Sequence, residues 1–362
     1  MESSELLDKI HALPLTKTVR IMNVCGGHER SITTAGLRTA LPAAIELIPG
    51  PGCPVCICPE EDIYQAIQIA IHEDVILVAF GDMLRVPVNA PQKAPRTLEQ
   101  AKAAGADIRP IASPTEAVTI AEANPEHTVV FFVAGFETTC APVAAMLKAG
   151  IPDNLLLLMS GRLTWPAVDL LLGADHRTFD ALIAPGHVAT IMGAEEWDFV
   201  VKRYTMPTAV AGFTSQSLLE AIYSVLRQEL EHRPFLDNCY TQVVTSTGNQ
   251  KAQQLLNATF DIIDAPWRGI GIIPQSGFEL NETYASHNAR FKFPSYAEEA
   301  RQKAGLMPAG CDCAQVILGQ IKPSECRLYG QLCVPRNPVG PCMVSDEGAC
   351  RIWWSSGIQS KT

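Results

Sequence analysis

Residues 59–82, PEEDIYQAIQIAIHEDVILVAFGD, contain the pattern that decides the fold. After Pro59, apolar residues recur at the spacing of one helix face, at Ile63, Ala66, Ile67 and Ala70. The next apolar run, residues 75–80, is short and rich in Val and Ile, which predicts a buried strand. A helix that alternates with a buried strand is typical of a parallel sheet covered on both faces.

The same alternation continues on both sides of this stretch. Four strands are predicted at residues 18–24, 44–48, 75–80 and 107–111, and four more at residues 129–134, 155–159, 181–184 and 208–211. Helical patterns separate them. One of these opens with a capping box at residues 113–116, and another covers residues 218–230. Two sets of about four strands predict two similar α/β lobes.

The predicted strands end in glycine or proline loops, such as residues 25–28, 50–53 and 185–187. Ligands of open parallel sheets bind at the carboxyl ends of the strands, so these loops are expected to face a cleft between the lobes. We predict lobes at residues 1–125 and 126–234, a less regular segment at 235–304 that completes or links the lobes, and a small cysteine-rich [4Fe–4S] domain at 305–362. Within the third segment, Trp267-Arg268-Gly269 predicts a loop that leads into a strand at 270–273.

Composition excludes several classes of protein. The chain has 362 residues, which suggests more than one domain. Its 47% hydrophobic and 18% charged residues fit a well-packed globular protein. A net charge of −10 argues against nucleic acid or an anionic membrane as partner. The apolar runs are strand-sized and the N-terminus lacks the apolar core of a signal peptide, so we expect a cytoplasmic protein.

Twelve cysteines in such a chain predict metal binding or redox chemistry rather than a disulfide framework. The C-terminal segment carries Cys326, Cys333, Cys342 and Cys350, separated by six, eight and seven residues. Four thiolates from one irregular segment suit a [4Fe–4S] cluster, which takes one cysteine per iron. Zinc is the competing interpretation, although structural zinc sites use tighter pairs. Cys311 and Cys313 are alternative ligands, or loop thiols near the site.

The second cysteine motif is Gly52-Cys53-Pro54-Val55-Cys56, which precedes a predicted helix. A C-x-x-C pair in an α/β setting predicts a redox dithiol, and a helix N-terminus lowers the pKa of a thiol. Half of a zinc site and two packed core thiols are the alternatives, and Cys58 adds a third thiol to the zinc interpretation.

A third motif, Cys25-Gly26-Gly27-His28-Glu29, follows a buried strand. Its glycines allow a ligand to approach the backbone, and Cys25 and His28 are candidates to face that ligand. A single thiol there fits a nucleophile, a soft metal ligand or a buried apolar residue equally well. Four other polar residues at predicted strand ends are equally open to a functional or a structural role: Asp82, Arg85, Glu137 and His187.

The motifs CGGHE, GPGCPVC, GDMLRVP, AGFETT, APGH and the tail ECRLYGQLCVPRNPVGPCMVSDEGAC resemble those of the HypD family of hydrogenase maturation proteins. They span the chain from Cys25 to Cys350 in the expected order. The resemblance implies two α/β lobes related by a pseudo-two-fold axis and a C-terminal [4Fe–4S] domain. It also implies a scaffold for the Fe(CN)2CO group of [NiFe]-hydrogenase, which acts with the chaperone HypC and receives cyanide from HypE.

By this resemblance, Cys25 matches the thiolate that holds the nascent iron, a transient Fe(II) carrying CN and CO, with His28 beside it. Cys53 and Cys56 match the redox-active pair. The cluster ligands match Cys326, Cys333, Cys342 and Cys350, while Cys311 and Cys313 stay as alternatives. Three cysteines lie outside the pattern and receive no role: Cys58, Cys140 and Cys239.

The chemistry agrees with these matches. A soft thiolate is a suitable anchor for low-valent iron, and a dithiol near a cluster can supply electrons for the release of cyanide. The resemblance thus favours an assembly factor with redox activity over a stand-alone enzyme. The alternatives are a stand-alone iron–sulfur thiol/disulfide oxidoreductase and a zinc-stabilised interaction protein.

Overall fold

The computed structural model describes residues 2–90, 94–174, 178–297 and 307–358. Its strands, numbered along the chain, form two sheets. The first sheet has the order β2-β1-β7-β8-β9, and all its strands are parallel. Its members are β1 Val19–Cys25, β2 Ile45–Gly52, β7 Ala181–Pro185, β8 Thr208–Ala211 and β9 Leu236–Asn238.

The second sheet has the order β10-β11-β6-β5-β3-β4. Strands β3 to β6 are parallel, and the hairpin β10–β11 is added antiparallel at one edge. Its members are β3 Val75–Phe80, β4 Ile108–Ile111, β5 Thr128–Gly135, β6 Leu155–Arg162, β10 Phe260–Trp267 and β11 Gly271–Leu280.

Helices cover the sheets between the strands. The longer ones are Ser3–His11, Gly26–Thr34, Glu60–His72, Pro114–Ala123, Glu137–Ala149, Thr164–Leu172, Ser215–Leu230 and Gln250–Thr259. The shorter ones are Leu37–Ala40, Pro54–Ile57, Leu98–Ala103, Gly186–Met192, Asp198–Tyr204, Ala289–Lys292, Cys313–Ile317 and Ala349–Ser355. Single 3-10 turns lie at Gly81–Arg85, Ala194–Trp197, Glu282–His287, Pro323–Glu325 and Pro341–Met343.

The predicted α/β class is confirmed, because two mostly parallel sheets are covered by helices and followed by a cysteine-rich region. Strand β5 shows why the apolar runs are strands. Val130 and Phe132 pack into the core on one face of the sheet, and Phe131 and Val133 into the core on the other. A strand with two buried faces needs a continuous apolar sequence.

The sheets are not built from consecutive halves of the chain. β1 and β2 join β7 to β9, whereas β3 to β6 join the hairpin β10–β11. The boundary expected near residue 125 therefore falls inside the second sheet, between β4 and β5, and residues 260–280 complete that sheet. The physical reason is pairing between distant strands: β1 accepts β7 as its neighbour, with Ile21 opposite Ala181. The chain crosses from the first sheet to the second after β2, and this crossing carries Cys53 and Cys56.

The described part of the tail, residues 307–358, is irregular apart from its short helices. Its apolar residues and cysteines share one core with the Cys53–Cys56 segment and one face of the second sheet. Trp353, for example, lies in the same core as Cys56 and Phe132. The tail thus packs directly against the carboxyl ends of β1 and β2.

Candidate functional site

A small cavity at the carboxyl ends of β1 and β2 is lined by cysteines from two sequence motifs. Cys25 ends β1, while Cys53 and Cys56 follow β2, and all three line one cavity of about 10 Å³. That volume is roughly the space one water molecule needs. Ile317 and Glu347 of the tail contribute to the wall. The parallel register, with Cys25 opposite Gly52, explains why the two motifs meet.

Cys25 is a buried thiol at the start of the helix Gly26–Thr34, with 7% of its surface exposed. Burial, and then the negative charge of Glu347, raise the pKa of Cys25 to about 12. The backbone N–H groups of His28 and Gly27 act in the opposite direction. The thiol therefore holds its proton at neutral pH until a cation replaces it, because metal binding displaces the thiol proton.

Two glycines allow the walls of the cavity to approach this closely. A Cβ atom at Gly26 would lie 2.5 Å from the backbone oxygen of Glu347, and one at Gly52 would lie 1.5 Å from the backbone oxygen of Val24. Both distances are far below van der Waals contact, so a side chain at either position would push the tail or β1 away from the cavity.

His28 lies directly after this motif, but its imidazole faces the first sheet. Its Nε2 lies 2.9 Å from the backbone oxygen of Ala211, and its ring contacts that of Phe213 at a tilt of 35°, with centroids 4.8 Å apart. The side chain is fully buried, and burial lowers its pKa to about 4. His28 thus contributes its backbone N–H to Cys25, while its ring is held by the end of β8.

Cys53 and Cys56 are joined in a disulfide, with their Cα atoms 5.3 Å apart. Cys53 caps the one-turn helix Pro54–Ile57, and its sulfur accepts the backbone N–H of Cys56 at 3.2 Å. Their exposed fractions are only 3% and 1%. The pair therefore faces the cavity and the protein interior in this conformation.

The structure brings six tail cysteines into one cluster, all of them buried: Cys311, Cys313, Cys326, Cys333, Cys342 and Cys350. Cys311 and Cys313 have their sulfur atoms 3.3 Å apart. The side chains of Cys313 and Cys342 hydrogen-bond to Cys350 and lower its pKa. The Cys-Asp-Cys pair therefore lies among the four predicted ligands and not beside them.

These sulfur atoms have the surroundings of metal-bound thiolates. The backbone N–H of Val339 donates to the sulfur of Cys333 at 3.4 Å. Burial raises the pKa of Cys326, and backbone hydrogen bonds from Asp312 and Leu328 act against that rise. Amide hydrogen bonds to sulfur are one way in which proteins tune iron–sulfur clusters. The donor set thus fits a thiolate-bound cluster.

Two occupants suit buried thiolates in this arrangement. Structural zinc takes four donors around one ion, whereas a [4Fe–4S] cluster spreads its cysteines over four irons.

A buried carboxylate, Glu29, ties the tail to the cavity and was not singled out by the sequence. It accepts hydrogen bonds from Trp353 Nε1 at 2.6 Å, from Arg38 at 2.7 Å and from Asn23 at 3.1 Å. The Arg38 guanidinium also lies over the Trp353 ring, 4.9 Å from its centroid. Because Trp353 is 324 residues away from Glu29, no local pattern indicates this connection.

The other polar residues at strand ends have structural partners. Asp82 accepts a hydrogen bond from Ser345 at 2.8 Å, and Arg85 donates to the backbone oxygen of Pro335 at 2.6 Å, so both bind the tail. Glu137 accepts hydrogen bonds from the N–H and hydroxyl of Thr164, and its burial raises its pKa to about 7. His187 stacks on Phe213 with centroids 3.8 Å apart.

The three cysteines without an expected role lie outside the cavity lining. Cys58 is buried, with its sulfur 3.4 Å from the hydroxyl of Ser160. Cys140 is buried in the core on the opposite face of the second sheet. Cys239 is only partly buried, near the end of β9.

Comparison with known proteins identifies the family. A family model for HypD, described as "Hydrogenase formation hypA family", matches residues 2–357. The chain is 38% identical to hydrogenase maturation factor HypD2 of Bradyrhizobium diazoefficiens, over 98% of this chain and 96% of that protein. It is 38% identical to HypD of Azotobacter vinelandii, over 94% and 90% of the two chains. It is 37% identical to HypD of Escherichia coli, over 93% and 89%.

These matches cover nearly the whole chain and include every cysteine motif described above. They define a class of proteins that takes part in hydrogenase maturation. The chain belongs to the HypD family. Among the described helices, none has both the length and the apolar character needed to cross a bilayer.

Proposed function

We propose that this chain is the scaffold on which the Fe(CN)2CO group of [NiFe]-hydrogenase is assembled. The observation that carries this proposal is the shared cavity, in which the single thiol Cys25 meets the dithiol pair Cys53 and Cys56 under the cysteine-rich tail. A metal anchor and an electron source are the two functions that such an assembly requires, and the cavity has a candidate for each.

Cys25 is the proposed anchor for the iron, which is the cargo of the reaction. Its thiolate is a soft ligand suited to iron that carries cyanide and CO, and iron binding would displace the proton that burial keeps on the thiol. The cavity in this conformation holds only a water-sized group. The cavity must therefore open on the solvent side of Cys25 before the iron group can bind there. A second thiolate, from a HypC-type chaperone, then completes the set of iron ligands.

Cys53 and Cys56 are the proposed source of two electrons for the delivery of cyanide from a HypE-type donor. A thiocyanate R–S–C≡N and two thiols yield R–SH, CN⁻, H⁺ and one disulfide. The S–C bond breaks, the cyanide carbon binds iron, and the Cys53–Cys56 bond forms. The burial of this pair favours an internal role, because a stand-alone oxidoreductase has to expose its dithiol to its substrate.

Cys326, Cys333, Cys342 and Cys350 are the proposed ligands of a [4Fe–4S] cluster, with Cys311 and Cys313 as alternatives for one position. When bound, such a cluster supplies electrons one at a time. All six thiols are buried, and the tail that carries them also contributes Glu347 to the wall of the cavity.

The test of the scaffold is infrared spectroscopy of the chain purified anaerobically with its HypC-type and HypE-type partners. We expect cyanide and CO stretching bands in the wild-type complex and in the Cys239→Ala control, whose thiol lies outside the cavity. Cys25→Ala should remain folded and bind the chaperone but lack both bands. Bands of normal intensity in Cys25→Ala would show that the iron is held elsewhere.

A further inference from the structure

Strand β10 forms one edge of the second sheet, and within the described part of the chain no other strand pairs with its outer side. Ile262 and Ile263 are neighbours in this strand, with 44% and 40% of their surfaces exposed. The residues on either side of them, Asp261 and Asp264, are exposed as well. An open edge offers unpaired N–H and C=O groups to an extended chain. β10 therefore presents the order acidic, apolar, apolar, acidic on an edge that can accept a further strand.

A cavity of about 500 Å³ adjoins this edge, between the hairpin β10–β11 and the helix Glu60–His72. Ile263 and Asp264 line it, together with Phe278 of β11. Gln65 also lines the cavity. Only 2% of its surface is exposed, and its Nε2 has no hydrogen-bond partner within the described residues. Because a buried N–H group without an acceptor costs free energy, the cavity offers a donor that a ligand oxygen would satisfy.

The buried charges of this cavity neutralise one another. Asp62 accepts hydrogen bonds from Arg290 at 2.7 Å and from Arg162 at 3.3 Å. Arg290 also donates to Glu279 at 3.2 Å. These two guanidinium groups and two carboxylates have no net charge together. The charge that a docking segment meets along the edge is therefore that of the exposed carboxylates of β10.

A second copy of this chain is a poor occupant of the edge. Antiparallel pairing of two β10 strands about Ile262 and Ile263 would place Asp261 of each copy directly opposite Asp264 of the other. Parallel pairing in register would place each aspartate beside its own counterpart. Like charges at opposite positions destabilise a sheet, whereas opposite charges stabilise it. The edge therefore favours a strand in which basic residues flank apolar ones.

We propose that β10 is the docking edge for an extended segment of a partner protein, in which lysine or arginine residues flank apolar ones. The segment adds to the second sheet as a further strand, with its basic side chains opposite Asp261 and Asp264. One apolar side chain enters the cavity beside Ile263, and an oxygen of the segment accepts the N–H of Gln65. The residues that line this cavity are separate from those around Cys25, so the docking edge is independent of the proposed iron site.

The experiment is a titration of the full chain with two synthetic peptides, followed by NMR of the isoleucine methyl groups. One peptide has two central isoleucines flanked by lysines, and the other has glutamates in place of the lysines. We expect the methyl signals of Ile262 and Ile263 to shift with the lysine peptide. Half of the shift should be reached at about a tenfold lower concentration than with the glutamate peptide, because the cross-strand charge pairs change sign.

Two variants test the groups that select the segment. Asp261→Lys should reverse the preference between the peptides; it is preferred to a change at Asp264, which also accepts the backbone N–H of Gln275 within the hairpin. Gln65→Leu should weaken binding of the lysine peptide about fivefold. It should leave the stability of the free chain unchanged or higher, since it removes a buried donor that has no acceptor.

Ile262→Lys should abolish binding of the lysine peptide, because a lysine on the edge repels it. Leu170→Lys is the matched control and should bind as wild type, since Leu170 is comparably exposed but lies on the helix Thr164–Leu172, outside this cavity. Equal shifts with both peptides, or no shift with either, would overturn the docking role. A dimer in analytical ultracentrifugation that Ile262→Lys abolishes and Leu170→Lys retains would identify a second copy as the occupant and overturn it too.

Discussion

The protonation pattern of the neutral His28 ring follows from its hydrogen bond to the backbone. Its Nε2 faces the backbone oxygen of Ala211 at 2.9 Å. A carbonyl only accepts, so Nε2 carries the hydrogen and Nδ1 is unprotonated in the neutral ring. Burial is the main cause that lowers the pKa of His28 to about 4, from an ordinary value of 6.5. Near pH 6, the His28 imidazole therefore stays neutral in the folded state, whereas it binds a proton in the unfolded chain.

We predict that the stabilising effect of His28 depends on pH. The folded pKa lies below the unfolded one, so the contribution is complete above about pH 6.5 and is lost as the pH falls toward 4. At pH 5 the loss is on the order of 2 kcal/mol. Urea unfolding of wild type and His28→Gln at pH 7.5 and pH 5 measures this contribution. The variant should have a lower free energy of unfolding than wild type at pH 7.5, and this difference should be smaller at pH 5.

His187→Gln is the comparison for this experiment, because His187 stacks on the same Phe213 ring and burial also lowers its pKa, but less than that of the fully buried His28. Its deficit in unfolding free energy should therefore change less with pH. An equal deficit of His28→Gln at both pH values would mean that its ring does not remain neutral in the folded protein.

Residues within one motif were predictable, and contacts between motifs were not. Cys25, Cys53 and Cys56 were found from local patterns, because each motif carries its glycines and thiols within a few positions. The sequence placed His28 toward the same ligand as Cys25, yet its ring packs against β8. Glu347 and Glu29 were missed, because their roles come from the packing of the tail on β1.

Among the elements, the one-turn helix Pro54–Ile57 gives the dithiol a restricted geometry. Its ends bring the Cα atoms of Cys53 and Cys56 to 5.3 Å, within the range that a disulfide spans. Cys58 follows the helix but bonds toward Ser160 instead. The three neighbouring thiols therefore have different partners, and only two of them share the cavity with Cys25.

We predict that Cys53 and Cys56 interconvert between dithiol and disulfide while the tail keeps its iron. Thiol trapping followed by mass spectrometry should find a Cys53–Cys56 link in oxidised protein and two alkylated thiols after reduction. Cys58→Ser is the matched control and should retain the link, whereas Cys56→Ser should lose it. Zinc bound at the pair, or no link under any oxidant, would contradict a redox role.

The positions of helices and strands could be predicted from the periodicity of apolar residues, but the residues at which some of them end could not. The helix Glu60–His72 and the strand β3 Val75–Phe80 lie where the sequence predicts them. Strand β2 was expected to end at residue 48 but continues to Gly52 through Pro49-Gly50-Pro51. Proline and glycine normally mark strand ends, and here the pairing of β2 with β1 keeps this segment extended.

At the scale of the whole molecule, the tail covers the carboxyl ends of the neighbouring strands β1 and β2. Trp353 bonds to Glu29, Ser345 bonds to Asp82 and Pro335 accepts from Arg85. All three contacts connect the cysteine-rich segment to loops that follow strands of the two sheets. A tail with little regular structure depends on its thiol centre for order, so loss of that centre should affect these contacts together.

We predict that Cys342→Ala abolishes the brown colour and most of the iron and sulfide of the purified chain, and makes the tail more sensitive to protease. Cys342 is fully buried, and its side chain hydrogen-bonds with those of Cys313 and Cys350 at the centre of the thiol cluster. Metal analysis and limited proteolysis measure the two effects. Cys239→Ala should match wild type, and full iron and sulfide retention in Cys342→Ala would remove Cys342 from the ligands.

Local sequence patterns could not predict how the strands are divided between the two sheets. Nine of the eleven strands in the described part of the chain were predicted, and β9 and β10 were not. The distribution of the strands between two sheets depends on which distant edges meet. β1 pairs with β7 about 160 residues later, as Ile21 opposite Ala181 shows. Nothing in either strand's own sequence selects that partner, since both are short apolar runs that would fit several neighbours.

This interleaving has a consequence during synthesis on the ribosome. β1 and β2 are complete at residue 52, but β7 begins only at residue 181. At 5–20 residues per second this interval lasts roughly 6 to 26 s. During this interval, β1 has an apolar edge with unpaired backbone groups, which can pair with strands of other chains. The yield of folded protein therefore depends on how well that edge is shielded while the second sheet is being made.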